Sequence, residues 1–252
     1  MEAESPCEYL EWDSAFFGCG IARLTQPQLD SRLWGTVAAW CRSRGIDCLY
    51  FLCDARDSLS IRTAESHDFR LVDERMTLVH DLLGLPADIA GDCAGRIRLW
   101  IPEDLPALRA IARTSYADSR FYYDGNFSRP RCDALYETWI EKSCHGGCET
   151  VFVAELDSQP VGYVTCLRRE PDSGQIGLIA VAPAARGRGL GRGLIQHALG
   201  WFAGQGFARA TVVTQGRNAG AQRQYVRAGF VLHQTQRWYH RWFPASRARS
   251  AG

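Results

Sequence analysis

The sequence AVAPAARGRGLGRGLI, residues 180–195, follows an apolar run and leads into a helical pattern. Between residues 186 and 193 it contains three arginines and four glycines. The first N–H groups of a helix lack partners inside the helix, and the helix dipole is positive at that end. Glycines let the backbone approach phosphate oxygens, and arginines add charge-assisted hydrogen bonds. A strand, this turn and a helix start therefore predict a site for a pyrophosphate group.

The stretch fits neither of two common phosphate-binding patterns. It has no GK[ST] sequence, which excludes a P-loop. Its glycines alternate at Gly187, Gly189 and Gly191, and the strand before them comes late in an antiparallel run. Because no ribose-binding carboxylate is evident either, the stretch is not a dinucleotide fingerprint.

The chain from residue 96 onward predicts a mixed, mostly antiparallel sheet flanked by helices. Alternating apolar residues indicate strands, and apolar residues at helical spacing indicate helices. The predicted strands are 96–101, 149–156, 159–170, 174–183, 208–215 and 230–243, and the predicted helices are 102–116, 132–143, 193–206 and 218–229. Residues 117–130 are predicted to form a loop, and the tail 244–252 is expected to fray.

Residues 1–93 predict a smaller α/β domain before the larger domain of residues 94–252. Residues 7–25 are interpreted as extended. The residues that follow predict a helix at 27–45, a strand at 47–54, a helix at 58–69 and a strand at 70–82. The order strand–helix–strand over 47–82 repeats over 208–243. Two interpretations stay open: the first domain is a degenerate half-copy of the second, or both use a common arrangement independently.

Val181, Arg186, Gly189 and Gly191 stand in the pattern Val-x-x-x-x-Arg/Gln-x-x-Gly-x-Gly/Ala. This pattern resembles motif A of the GCN5-related N-acetyltransferase (GNAT) superfamily, and the order of elements over residues 96–243 is similar to the fold of that superfamily. The resemblance implies an α/β protein of the α+β type with a GNAT fold, preceded by a smaller, partial GNAT-like unit. It also implies acetyl-CoA as the acetyl donor.

In that superfamily, backbone amides of the glycine-rich turn bind the pyrophosphate of the donor. The resemblance further implies that the edge of strand 175–182 hydrogen-bonds the pantetheine arm, and that the N–H of Ile179 polarises the thioester carbonyl. The implied cofactor contacts are Ile179, Ala180, Val181, Arg186, Gly187, Arg188, Gly189, Leu190, Gly191, Arg192, Asn218 and Tyr225.

The segment NAGAQRQYVRAGF, residues 218–230, resembles a later motif of the same superfamily. Asn218 and Tyr225 are two helical turns apart, so they lie on one helix face. Asn218 also stands where a helix N-cap belongs. The resemblance implies that Tyr225 gives its proton to the departing thiolate, since a phenol stays protonated near neutral pH. The alternative is a tyrosine of the core.

An amine acceptor must lose a proton before it attacks, and the sequence does not identify the base. Asp73 is the first candidate, with Glu74 and Asp118 as fallbacks. The alternative for Asp73 is a solvated carboxylate on a strand. No Ser-His-Asp or Cys-His arrangement is evident, so we expect direct attack without an acyl-enzyme.

A narrower resemblance bears on the acceptor. Residues 10–18, 106–127 and 136–143 are similar to the dTDP-fucosamine acetyltransferase group, which N-acetylates TDP-4-amino-4,6-dideoxygalactose for surface polysaccharides. The resemblance implies a nucleotide-linked amino sugar as substrate. The predicted substrate contacts are Ser119, Arg120, Phe121, Tyr122 and Tyr123, with Arg120 suited to a diphosphate and an aromatic ring to the base. The alternative is an ordinary loop pinned by aromatic residues.

Two competing functions stay open. The first is acetylation of another amine, such as an aminoglycoside or a protein N-terminus. A protein acceptor favours an open acidic groove over a closed aromatic pocket. The second is an acetyl-CoA-binding module without activity, against which the intact Asn218 and Tyr225 argue.

Composition and charge limit the partners. Lys+Arg 29 against Asp+Glu 28 gives a net charge of +1, which argues against a protein that coats nucleic acid. No apolar stretch approaches the roughly 20 residues of a membrane span. The acidic N-terminus has no signal-peptide core. We therefore expect a cytoplasmic protein without nucleic-acid or membrane partners.

The ten cysteines lie mostly inside apolar runs, as small buried residues do in a reducing compartment. The cluster CHGGC, residues 144–148, has CxxxC spacing and no second pair nearby. We interpret it as a loop between a helix and a strand, and we expect no metal.

The last predicted strand predicts a homodimer. It contains Trp238, Tyr239, Trp242 and Phe243. This is more aromatic surface than the edge strand of a monomer usually exposes. A second copy of the chain is therefore the expected cover.

Overall fold

The computed structural model describes residues 5–87, 89 and 93–244, and within them the chain forms ten β-strands and eight α-helices. The strands are β1 (Cys7–Tyr9), β2 (Ile21–Leu24), β3 (Cys48–Asp54), β4 (Arg70–Asp81), β5 (Arg96–Leu99), β6 (Thr150–Leu156), β7 (Gln159–Glu170), β8 (Ser173–Val181), β9 (Arg209–Gln215) and β10 (Val231–Trp242). The helices are α1 (Glu11–Phe17), α2 (Ser31–Ser43), α3 (Ser58–Ser66), α4 (Leu105–Ser115), α5 (Arg120–Asp124), α6 (Arg129–Lys142), α7 (Leu190–Gly204) and α8 (Ala219–Arg227). Most of the tail that was expected to fray, residues 245–252, lies outside the described residues.

The strand pairing confirms the predicted mixed, mostly antiparallel sheet. The antiparallel pairs include β1–β2, β3–β10, β5–β6, β6–β7 and β7–β8. The pairs β2–β3 and β8–β9 are parallel, and each is connected through a helix, as parallel neighbours require. Among the described helices, none combines the length and apolar character needed to cross a bilayer.

Packing divides the described chain into two compact units. The first unit contains residues 5–75, 120–127 and 235–244, and the second contains the described residues of 76–119 and 128–234. This division does not fall between residues 93 and 94, because the long strands β4 and β10 each contribute residues to both units. The division into domains 1–93 and 94–252 therefore stays a prediction about the sequence, separate from these packing units.

The final strand is not an edge. β10 lies between β3 and β4 in the strand order. It pairs with β3 from Gln236–Asp54 to Trp242–Cys48, and Tyr239 on it is fully buried. The expectation that these aromatic residues form an exposed edge is therefore wrong, because partner strands and the core cover them. The homodimer stays a prediction without that support.

The first segment of the chain is not wholly extended. Helix α1 interrupts residues 7–25, with acidic residues in its first turn, where they favour the helix dipole. The rings of Trp12 and Phe16, one helical turn apart, stack at 5.0 Å. Gly18 ends the helix with φ of 75°, and its N–H donates to the carbonyl of Ser14.

Two segments predicted as loops are partly helical. Helix α5 lies inside the predicted loop 117–130, because Phe121 and Asp124, three residues apart, are both buried on one side of a helical turn. The cluster CHGGC continues α6 as a π-helical turn, Ser143–Gly147, in which Gly146 has φ of 93°. The cysteines of the cluster are free thiols.

The second unit positions the helix that follows the glycine–arginine stretch. Its strands follow the order β9-β8-β7-β6-β5. The apolar face of α7, with Leu190, Leu194, Ile195 and Phe202 buried, packs into the same core as residues of β6, β7 and β8. This burial fixes the direction of α7, so its N-terminus stays at the end of β8.

The repeat predicted in the sequence is visible in the element lengths. The series β3, α3 and β4 has 7, 9 and 12 residues, and the series β9, α8 and β10 has the same lengths. The linkers 55–57 and 67–69 match 216–218 and 228–230 in length. Such agreement favours the interpretation of the first domain as a half-copy.

Candidate active site

A cleft of about 780 Å³ lies in the second unit. It is bounded by the end of β8, the glycine–arginine turn, the start of α7 and one side of α8. The residues that line it are Ser115, Ile179, Ala180, Val181, Ala185, Arg186, Gly187, Gly189, Leu190, Gly191, Arg192, Ile195, Gly220, Ala221, Arg223, Gln224, Tyr225 and Arg227. The cleft therefore brings together two motifs that are separated by more than twenty residues in the sequence.

One wall of the cleft is an open strand edge. β8 pairs with β9 from Ser173 to Ile176, and in the described chain the pairing ends there although β8 continues to Val181. The N–H of Leu178 donates to Oγ1 of Thr165 on β7 at 2.7 Å. Since successive N–H groups of a strand point to opposite sides, the N–H of Ile179 faces away from β7. Of the predicted edge 175–182, the part of β8 that does not pair with β9 is therefore residues 177–181.

The turn between β8 and α7 has a backbone that glycine favours. Gly187 and Gly189 have φ of 79° and 77°, the left-handed region that side chains rarely adopt. Gly189 is the N-cap of α7, and its carbonyl accepts from the N–H of Gly193 at 2.9 Å. No side chain caps this helix end. The first N–H groups of α7 are thus left for a ligand anion.

The mouth of the cleft is strongly cationic. The lining that the described residues form contains four arginines, Arg186, Arg192, Arg223 and Arg227, and no acidic residue. The Nε of Arg186 donates to the carbonyl of Val181 at 3.2 Å, which holds that side chain beside the turn. This charge suits a ligand with several phosphates.

Among the described residues that line the cleft, Tyr225 is the one with a phenol. Its side chain is 4% exposed, and its ring lies edge-on to Phe230 at 5.7 Å. Burial raises the pKa of Tyr225 well above its ordinary value, because a buried phenolate is poorly solvated. The phenol therefore stays protonated at neutral and moderately alkaline pH.

Two of the predicted cofactor contacts are not in the lining. The side chain of Asn218 accepts from the N–H of Ala221 at 3.0 Å, so it acts as the N-cap of α8. The carbonyl of Arg188 accepts from the N–H of Ala94 at 3.3 Å. The other ten predicted contacts all line the cleft.

Sequence reasoning missed Ser115, Arg223, Gln224 and Arg227. The last three lie on the helix that carries Tyr225, and the two arginines are four residues apart and so share a face. That spacing could have indicated from the sequence that the two arginines face the same ligand as Tyr225. Ser115, at the end of α4, had no such signal, since only tertiary packing brings α4 beside the motif.

The predicted acceptor contacts have different surroundings. Phe121 is buried, and its ring stacks on Phe17 at 5.5 Å, so it belongs to the core of the first unit. Tyr123 is 49% exposed, and the guanidinium of Arg70 lies 5.4 Å from its ring. Tyr122 is half-buried. Ser119 is buried, and its hydroxyl has no hydrogen-bond partner among the described residues.

The candidate bases lie outside the cleft lining. Asp73 on β4 is 5% exposed, so it is not the solvated carboxylate of the alternative interpretation. Glu74 forms an ion pair with Arg237 at 3.6 Å. The carbonyl of Asp118 accepts from Arg217 at 2.9 Å. The role of each as a base stays a prediction.

One described cluster has residue types that bind metals. A ligand atom from each of Cys48, Asp124 and His240 lies within 4.8 Å of the others, and all three residues are buried. Both ring nitrogens of His240 already have protein partners, Asp124 at Nδ1 and Arg120 at Nε2. A cation would have to replace one of these partners, and Arg120 would repel it. The cluster therefore does not fit a metal.

Comparison with known proteins assigns the fold and the family. A model of the acetyltransferase (GNAT) family matches residues 105–230, which include the turn, α7 and α8. A GCN5-related N-acetyltransferase from Sphaerobacter thermophilus superposes with a TM-score of 0.66 at 17% identity, covering 95% of this chain and 77% of that chain. At this identity the likeness concerns the fold alone.

Two curated relatives have more similar sequences. The dTDP-fucosamine acetyltransferase of Escherichia coli O6:H1 (strain CFT073) is 28% identical over 249 residues, covering 96% of this chain and 100% of the relative. The spore coat polysaccharide biosynthesis protein SpsD of Bacillus subtilis (strain 168) is 29% identical over 141 residues, covering 56% of this chain and 48% of the relative.

Proposed function

Because the chain belongs to the acetyltransferase (GNAT) family, we propose that it transfers the acetyl group of acetyl-CoA to the amine of a nucleotide-linked amino sugar. The acceptor is a TDP-4-amino-4,6-dideoxy sugar, used in surface polysaccharide synthesis. The observation that carries this choice is the similarity to dTDP-fucosamine acetyltransferase over 96% of the chain. The family model covers residues 105–230, so this similarity also includes segments of the chain on both sides of the family match.

The cleft fits acetyl-CoA as donor. The open edge 177–181 offers backbone groups to the amides of a pantetheine arm, the way an added strand pairs. The uncapped N-terminus of α7 and the four arginines suit its phosphates. Acetyl-CoA supplies the reactive thioester, and the residues of the chain bind it, orient it and manage the protons.

Two groups in the cleft act on the reacting end of the donor. The N–H of Ile179 faces the open side of β8 and polarises the thioester carbonyl, where negative charge develops during attack. The protonated phenol of Tyr225 gives its proton to the sulfur as it leaves. Because attack is direct, no side chain is acylated.

The amine of the acceptor must lose a proton before it attacks the thioester. Asp73 is the candidate base that we propose, acting through a water. Its side chain is buried, so it is not a solvated surface carboxylate. Glu74 forms an ion pair with Arg237 and is therefore the second choice.

The proposal is tested by thiol release from acetyl-CoA with a panel of acceptors. The panel contains TDP- and UDP-linked amino sugars, an aminoglycoside and a peptide with a free N-terminus. We expect turnover with a TDP-4-amino-4,6-dideoxy sugar and little with the last two. Turnover only with the peptide or the aminoglycoside overturns the acceptor and keeps the donor. Binding of acetyl-CoA without turnover of any amine indicates a binding module.

A further inference from the structure

A buried carboxylate in the first unit is held by several donors. The side chain of Asp124 is 1% exposed. Nε1 of Trp242 donates to both of its oxygens at 3.0 Å, and Nδ2 of Asn126 donates to one at 2.6 Å. These donors and His240 lower the pKa of Asp124 to about 2 against the effect of its burial. Asp124 is therefore ionised and fixed.

His240 lies between this carboxylate and Arg120. Its Nδ1 is hydrogen-bonded to Oδ2 of Asp124, and its Nε2 lies 2.6 Å from Nη1 of Arg120. A guanidinium only donates, so Nε2 must accept. The ring proton is therefore on Nδ1 and is donated to Asp124. Burial lowers the pKa of His240 to about 4, which agrees with a neutral ring.

The guanidinium of Arg120 is caged by aromatic rings. Its central carbon lies 4.2 Å from the ring centres of Tyr50 and Phe121 and 4.4 Å from that of Trp238. The Tyr50 ring also stacks on His240 at 4.4 Å. The Arg120 residue is half-buried, whereas Asp124 and His240 behind it are fully buried. A charged side chain is thus held in one orientation with part of its surface open.

Two hydroxyls next to Arg120 are buried without partners. The phenol oxygen of Tyr50 and the hydroxyl of Ser119, the preceding residue in the chain, have no hydrogen-bond partner among the described residues. Leaving a buried hydroxyl without a hydrogen-bond partner is unfavourable. A ligand with several acceptor oxygens, such as a diphosphate, satisfies groups of this kind.

We infer that Asp124 and His240 form a positioning relay that fixes Arg120 as the anchor for the diphosphate of the acceptor. The inference rests on the proposed function, since the diphosphate belongs to the nucleotide-linked sugar. Arg120 contacts the substrate, and His240 and Asp124 act only through it. A planar guanidinium held by one N–H still has four N–H groups to offer to phosphate oxygens.

A purely structural role explains the cluster less well. Replacing a buried ionic group by apolar residues is often neutral or stabilising, so a stable core does not need an Asp–His–Arg chain. A positioning role requires three groups in the order seen here. These are an ionised carboxylate (Asp124), a ring with one fixed tautomer (His240) and a partly exposed cation (Arg120). A cluster that only stabilises the core does not require a partly exposed residue such as Arg120.

The test uses two substitutions of one residue. In His240→Gln the amide oxygen takes the place of Nε2 and still accepts from Arg120. In His240→Asn the amide nitrogen takes the place of Nδ1 and still donates to Asp124, but nothing accepts from Arg120. We expect His240→Asn to raise the KM for the TDP-amino sugar about ten-fold or more, and His240→Gln to stay nearer the wild type. The KM for acetyl-CoA and kcat should be unchanged in both.

An acceptor without the diphosphate sharpens the test. With the amino sugar 1-phosphate, both variants should have the same KM as the wild type. The relay is overturned if His240→Asn and His240→Gln have equal KM values for the TDP-amino sugar, or if their loss of activity only follows their loss of thermal stability (Tm). In either case, turnover of the TDP-amino sugar by the wild type still supports the proposed function. No turnover of any nucleotide sugar by the wild type overturns the proposed function itself.

A measurement on the unchanged protein covers the case in which His240→Asn does not fold. The imidazole ¹⁵N resonances of His240 should show a proton on Nδ1 at neutral pH, and thymidine diphosphate should shift the Nε2 resonance. A proton on Nε2, no response to thymidine diphosphate, or one equivalent of bound metal in the purified protein contradicts the relay.

Discussion

Two parts of the chain have the same succession of elements but different chemistry. β2-α2-β3-α3-β4 and β8-α7-β9-α8-β10 each begin with two parallel strands connected by a helix. The linker before α2 is TQPQLD, residues 25–30, without glycine or arginine. The acidic Asp30 caps α2 by accepting from Leu33. The corresponding N-cap of α7 is Gly189, which leaves that helix end open.

The same difference continues in the next helix. Matched by element starts, Tyr225 of α8 corresponds to Ala64 of α3, and Arg223 corresponds to Arg62. Ala64 and Tyr225 are both buried. The order of elements alone therefore does not produce the cleft features on which the proposed acetyl-CoA site depends, because the first series lacks the open helix end and a phenol at the position of Tyr225. In our proposal a few residues carry the chemistry, and substitutions at matched positions test which ones.

The largest effect is expected from Tyr225→Phe. Removing the proton donor should lower kcat roughly 10²–10⁴-fold and leave the Kd for acetyl-CoA unchanged, since general acid catalysis contributes about that much. Thiol release and calorimetry measure the two quantities. Tyr239→Phe, which removes a hydroxyl that donates to Glu65, is the control and should keep kcat. Unchanged turnover in Tyr225→Phe would contradict the role of Tyr225 as the proton donor to the thiolate.

His240 on β10 should contribute a pH effect on stability that its counterpart on β4 cannot contribute. Burial holds the pKa of His240 at about 4 against an ordinary 6.5, so between these values the unfolded chain binds a proton that the folded chain does not. Stability should fall as the pH drops through this range, by on the order of 2 kcal/mol. Val79 occupies the matching position of β4.

Denaturant unfolding at several pH values measures this effect. The slope between pH 6.5 and 4 should flatten in His240→Gln. The exposed His233 lies on the same strand, and His233→Gln should keep the slope of the wild type. Equal slopes in the wild type and His240→Gln would show that His240 is not held neutral.

Replacing Arg223 of α8 or its counterpart Arg62 of α3 should have different effects on the KM for acetyl-CoA. Arg223→Gln removes one charge from the mouth of the cleft and should raise the KM for acetyl-CoA roughly three- to ten-fold, more at low salt than at high salt. Arg62→Gln, in the corresponding position of α3, should leave this KM unchanged. Steady-state rates at two salt concentrations test both. A similar rise in both variants would mean that the two halves are less different than the structure indicates.

Removing the N-cap side chain of α8 or of α3 should have similar effects on stability. Asn218 accepts from Ala221, and Asp57 accepts from Ser60, each three residues into its helix. Asn218→Ala and Asp57→Ala should each lower the free energy of unfolding by about 1 kcal/mol, with little change in the KM for acetyl-CoA. A KM that rises strongly in Asn218→Ala alone would restore the direct cofactor contact predicted from the sequence.

The residues that line the cleft, which we propose as the donor site, could largely be predicted from the sequence because they belong to local motifs. The turn depends on glycines within a few residues of one another, and Tyr225 lies at a fixed spacing from Asn218 on one helix. The contacts proposed for the turn and for β8 use backbone N–H groups, so no distant partner has to be known. The element order of residues 96–243 was predictable for the same reason, since each element has its own periodicity.

The surroundings of the proposed acceptor anchor, Arg120, could not be predicted in the same way. Cys48, Asp124 and His240 are far apart in the sequence, and the pairing of β10 with β3 brings His240 opposite Tyr50. The aromatic residues of β10 suggested an exposed edge because composition does not reveal which strands flank a strand. Only the Arg120 segment was identified beforehand, and its contacts with His240 depend on tertiary structure.

The most direct test of the account is to follow both products of one reaction. The protein is mixed with acetyl-CoA and TDP-4-amino-4,6-dideoxygalactose, and free CoA and N-acetylated sugar are quantified by mass spectrometry. The account predicts equal amounts of the two products and almost none with Tyr225→Phe. Free CoA without acetylated sugar, or no consumption of acetyl-CoA by a folded protein that binds it, would contradict the account.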